Sequence, residues 1–85
     1  MTDTDLLAAR QRTHGEAART ARVRTMLMAA IHDYWAGPPP TPVQAMAIDM
    51  ITVKLARIAS GDASFADHWR DIAGYAEMAA REMGE

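Results

Sequence analysis

The 85-residue chain has no cysteine. Disulfides are therefore excluded, and thiolate metal sites go with them. Its two serines, Ser60 and Ser64, stand in neither a nucleophile-elbow nor a Ser-x-x-Lys context, so nothing supports nucleophilic catalysis. No apolar run approaches the ~20 residues of a membrane span. Alternating apolar and polar residues, the mark of a half-buried strand, are also missing. The first residues, MTDTDLLAARQR, are acidic and then basic without an apolar core, unlike a signal peptide. A soluble, cytoplasmic protein that does not engage a membrane is expected.

What remains is a small helical domain with a marginal core. A chain of this length buries only about 60 to 65% of the surface it exposes unfolded. Without disulfides, self-association is the supplement left open, so a homo-oligomer is expected. The formal net charge of −2 conceals an asymmetry: residues 10–24 carry five arginines against Glu16 alone, whereas residues 62–85 carry six acids against Arg70 and Arg81. Specific nucleic-acid binders are usually basic as whole domains. The arginine-rich segment is therefore read as a helix face served by acidic partners within the fold or in a neighbouring subunit, rather than as a nucleic-acid arm.

Breakers divide residues 1–85 into one domain of four helices. GPPPTP, residues 37–42, ends one helix at Gly37 and opens another at Thr41. There Thr41 and Gln44 form the S/T-x-x-E/Q capping box, with Pro42 at the first helical position. Gly61 supplies a left-handed C-terminal residue and Ser64 the next cap, while His14-Gly15 separates a short N-terminal helix from a long one. The expected helices lie near 4–12, 16–36, 42–59 and 64–83. The expected architecture is all-α: a small antiparallel bundle of three long helices and a short first one.

Helical periodicity assigns faces. The second helix gathers Val23, Leu27, Ala30, Ile31, Tyr34 and Trp35 on one side. The third, PVQAMAIDMITVKLARIAS, is apolar nearly all round, so it is central or covered by another subunit. Its Lys54 and Arg57 are then partly desolvated and need an anionic partner. On the fourth helix Phe65, Trp69, Ile72, Ala76, Ala79 and Met83 form the apolar stripe. Beside that stripe His68, Asp71 and Tyr75 make a ridge, and Gly74 suggests a close backbone approach.

Two readings of this cluster compete. In the first, Lys54 and Arg57 hold phosphate oxygens, Trp69 or Tyr75 stacks on a base, and Asp71 or His68 hydrogen-bonds the base or sugar. In the second, Asp71 pairs with Lys54 or Arg57 between packed helices and Trp69 fills the core. A metal site is disfavoured, because His14, His32, His68, Asp67 and Asp71 show no recognisable ligand spacing. No cofactor is expected.

Three further features carry a family resemblance: Arg12-Thr13-His14-Gly15, the Lys54-x-x-Arg57 pair, and Asp67 to Ala76, D-x-W-x-D-I-A-G-Y-A. Over residues 12–80 the chain resembles an uncharacterised family of short phage and prophage helical proteins, departing from it at EAART, residues 16–20. That resemblance implies a phage setting inside a host bacterium and a helical fold, and adds Arg12 and His14 to the candidate site. The expectation is a self-associating protein that binds or sequesters a nucleotide or cyclic-nucleotide signal without catalysis, in the manner of an anti-defence sponge. The alternatives are an all-α MazG-like nucleoside triphosphate pyrophosphohydrolase and an adaptor that binds a host defence protein. The first alternative is short of carboxylates: Asp49 stands alone on the third helix.

Overall fold

Local capping chemistry sets the helix boundaries. A computed structural model describes residues 2–84, with α1 at Asp3–His14, α2 at Ala17–Asp33, α3 at Pro42–Ser60 and α4 at Ala66–Glu82. Among the described residues there is no strand. At the head of α3 the capping box forms as its sequence predicts: Thr41 Oγ1 accepts the Gln44 N–H at 3.1 Å, and the Gln44 side chain accepts the Thr41 N–H at 2.9 Å. The same hydroxyl donates to Glu82 at 2.6 Å, which ties the start of α3 to the end of α4. Thr2 and Asp5 build a second box at the head of α1.

Two expected boundaries differ. α2 stops at Asp33 rather than running to residue 36, because the Gly-Pro-Pro-Pro run cannot continue a helix. The Trp35 indole N–H instead closes the loop on the Pro38 carbonyl at 2.9 Å, and Tyr34 is 88% exposed rather than in the core. Ser64 does not cap α4. The Asp62 carboxylate accepts the Ser64 N–H at 2.8 Å and the Asp62 carbonyl accepts the Phe65 N–H at 3.1 Å, so a turn comes first and Phe65 becomes an N-cap without a side-chain bond.

α3 is the spine. It packs against each of the other helices, whereas α2 and α4 flank it on opposite sides without meeting. The bundle is accordingly open, a layer with α1 laid across α2 and α3. Among the described residues the buried ones are few: Ala47, Thr52 and Ala56 on α3, and His68 on α4. Small side chains at Ala47 and Ala56 let the neighbouring helices approach closely. The Thr52 hydroxyl is satisfied within its own helix by Ile48 O at 2.6 Å.

The tightest packing is where α1 ends against the end of α3. A Cβ at Gly15 would come within 2.5 to 2.6 Å of Ser60, and a Cβ at Gly61 would come within 2.5 Å of Thr13 O and 2.6 Å of Gly15 N. Gly61 is thus a glycine for space: its φ of −122° is not the left-handed value its place after a helix suggests. Gly15 needs both the space and its φ of 81°. At Gly74, by contrast, nothing lies within 4 Å of where a Cβ would stand, so no backbone approaches it.

Opposite signs follow for these glycines. Gly61→Ala and Gly15→Ala should each lose about 1 to 3 kcal/mol, the usual range for overpacking. Gly74→Ala should gain up to about 1 kcal/mol from helix propensity. Urea unfolding followed by circular dichroism measures all three.

Candidate functional site

The cationic pair of α3 divides between two neighbours. Three residues along a helix is a rotation of about 60° between side chains, enough for Lys54 to face α4 while Arg57 faces α1. Lys54 Nζ lies 2.8 Å from Asp71 Oδ2. The lysine side chain is 12% exposed and the aspartate half-exposed, and the Lys54 hydrogen bond is the main cause holding the Asp71 carboxyl below its ordinary value. Lys54 and Asp71 therefore satisfy one another between packed helices.

His68 is the buried member of the expected ridge, 1% exposed. Its Nε2 is 2.9 Å from the Thr13 carbonyl. A carbonyl only accepts, so Nε2 carries the proton. The same oxygen accepts the Asp62 N–H at 3.2 Å. Around this point His14, Phe65 and His68 form a ring triangle, with centroids 4.7 to 5.7 Å apart and tilted or edge-on planes. The His14 Nδ1 lies 2.5 Å from the Thr13 hydroxyl.

On the other side of that triangle a cleft of about 310 Å³ opens between α1, α2 and α3. Arg10, His14, Arg24 and Arg57 line it beside an apolar wall of Leu7, Ala17, Ala21 and Val53, and no acidic residue is among its lining groups. Arg24 is hydrogen-bonded to Asp49 of α3. Arg10 and Arg57 have no ion-pair partner among the described residues. The His14 pKa is lowered first by burial, and then by the positive charge of His68, Arg57, Arg10 and Lys54. Such a site favours an anion, since an incoming negative charge relieves the crowding of cations. A second, larger cleft of about 430 Å³ lies beneath the proline loop, lined by Met28, Ile31, Trp35 and Ile48. It has no converging set of charges.

The expected site residues thus separate. Arg57 and His14 share the cleft; Lys54, His68 and Asp71 serve the junction behind it. Tyr75 is half-buried on α4 and Arg12 is exposed on α1, and neither lines the cleft. Trp69 does not fill the core: it is 50% exposed, with its indole N–H on the Ala63 carbonyl at 2.8 Å. The sequence does not single out Arg10 and Arg24, although Arg10 and His14, four residues apart, share one row of α1. The carboxylates are dispersed, Asp49 on Arg24, Asp67 on Arg70 and Asp71 on Lys54. Among the described residues no three metal-ligating side chains converge.

A family model described as a domain of unknown function (DUF6378) matches residues 3–83. The chain belongs to this family. No curated protein and no solved structure matches it. Among the described residues of this DUF6378 chain, no helix is long and apolar enough to cross a membrane.

Stability should fall in two steps as the pH drops. His14 is harder to protonate folded than unfolded, so its contribution is complete above the unfolded value of 6.5 and is lost as pH falls through the depressed folded value. Asp71 contributes above its unfolded value of 3.8, and that is lost as pH falls through its own lowered value. Thermal melts from pH 8 to pH 3 should show both declines. His14→Gln should remove the first and Asp71→Asn the second.

Proposed function

We propose that this DUF6378 protein binds the phosphate groups of a nucleotide or cyclic nucleotide in the cleft between α1, α2 and α3, and holds the ligand without turning it over. One observation carries the reading: Arg10, His14 and Arg57 converge on a cleft with no carboxylate among its lining residues. Arg57 and Arg10 supply charge-assisted hydrogen bonds to phosphate oxygens. His14 becomes a further donor once an anion raises its pKa. The apolar wall of Leu7, Ala21 and Val53 suits a ribose or base edge, and a volume near 300 Å³ is at the small end of ligand clefts.

The dispersed carboxylates favour binding over Mg²⁺-dependent pyrophosphohydrolysis, which needs several oxygen ligands on each metal ion. The proposal retains the phage setting, in which a self-associating protein of this kind acts as a sponge for a host defence signal. An adaptor that engages a host defence protein without any small ligand is the competing reading.

Thermal shift with ATP, a cyclic dinucleotide and inorganic pyrophosphate, without Mg²⁺, tests the assignment. Stabilisation by the phosphate compounds and none by adenosine is expected, tightening as the pH falls toward the lowered His14 value, since His14 then binds in its charged form. Arg57→Ala and Arg10→Ala should each weaken binding at least about tenfold, the worth of one hydrogen bond to a charged group. Asp71→Asn should leave it intact. No response to any phosphate compound sinks the reading, and Mg²⁺-dependent loss of the triphosphate replaces it with the enzyme.

A further inference from the structure

One broad face of the helical layer is uncovered. On α3, Leu55 lies about 160° round the helix from both Val53 and Arg57, which line the cleft beneath α1. Leu55 therefore points to the opposite side, where it is 40% exposed. On α4, Trp69 is about 160° from Asp71, the residue tied to Lys54, and Ala76 about 140°. On α2, Ala30 is about 180° from Ala21 of the cleft, and Met26 about 140°. Met26, Ala30, Leu55, Trp69 and Ala76 are all exposed, and helical geometry turns them to this one side.

The dimensions of the chain say how much surface is left over. Its radius of gyration is 14.7 Å, against about 12 Å for a compact domain of this length. Its accessible surface is 6056 Å², against about 5,000 Å² for a folded monomer of this mass. The excess over the whole chain, about 1,000 Å², is enough to supply the ~800 Å² that each partner contributes to a stable interface. On α2, Arg19 is about 160° and Asp33 about 120° from Ala21, so these two exposed residues stand at opposite ends of the strip on this face. A two-fold axis perpendicular to the helices sets Arg19 of each copy over Asp33 of the other, so the face is complementary in charge to itself.

We infer that the face carrying Met26, Leu55 and Trp69 is where a second copy of this chain docks, closing two open layers into one shared core with the phosphate clefts on the two outer sides. This rests on surface and shape, and needs no ligand in the cleft.

Sedimentation equilibrium from low to high micromolar concentration tests it. The wild-type chain should have twice the monomer mass. Leu55→Glu and Ala76→Glu should have the monomer mass while keeping helical circular dichroism. Met78→Glu, one heptad after Asp71 and therefore on the cleft side of α4, should remain a dimer. A wild-type monomer throughout overturns the inference and leaves the face to a different protein or a lipid surface. A dimer that survives Ala76→Glu and Leu55→Glu, or one that only Met78→Glu dissociates, overturns it equally. Phosphate binding by a wild-type monomer would remove the interface and keep the cleft.

Discussion

The carbonyl oxygen of Thr13 is the point on which the arrangement depends. It is the shared acceptor for the buried His68 side chain and for the Asp62 N–H, so one atom of α1 joins the turn after α3 to the first turn of α4. The rest of α1 is held weakly. The helix contributes no buried residue, and its own charged and polar surface would not keep it on the layer. Gly15 and Gly61 make the bond possible by letting two backbones pass at a distance no side chain permits. Arg10 and His14 stand against Arg57 because α1 is fixed at this end.

α3 then separates two kinds of positive charge. Lys54 is consumed: it is nearly covered and answered by Asp71, and its role is to let two helices pack without an unpaired cation. Arg57, only a fraction of a turn away, faces a cleft in which the other charged groups are cationic too. Arg24 is answered by Asp49, but Arg10, His14 and Arg57 stand together without a carboxylate partner, an arrangement that stability alone does not favour. Burial first, and then these neighbouring charges, lower the His14 pKa. In the proposed function an anion converts the repulsion among these groups into attraction, and they are the ones that hold the phosphate.

Much of the fold is legible in the sequence because it rests on local chemistry. The Thr41–Gln44 box, the prolines after Gly37 and the His14-Gly15 break each act within a few residues, and the helices fall within a few residues of the boundaries these signals imply. The all-round apolarity of α3 likewise reports its central place. The site is half legible. Charge and motif point to Arg57 and His14, whereas helical faces leave Asp71 to either Lys54 or Arg57, and only the packed structure assigns it to Lys54. Arg10 escapes notice, because Arg57 is more than forty positions away and meets it only through the α1 junction. Trp69 misleads for the opposite reason: its apolar ring fits the periodicity of the α4 stripe, but a single layer of helices has no interior on that face. Gly74 misleads too, since a helix can carry a glycine that nothing touches. The glycines that matter for space are Gly15 and Gly61, and their crowding comes from segments distant in sequence.

The proposed phosphate site lies beside Arg57 on the α1 side, away from the Lys54–Asp71 pair. An amide and arginine side-chain NMR titration with inorganic pyrophosphate reads this directly. The largest shifts should fall at the Gly15 amide and at the Arg10 and Arg57 side chains, with Tyr75 and Trp69 unmoved. Shifts centred on Asp71, Tyr75 and the Trp69 indole, or no shift at any of these positions, would contradict it.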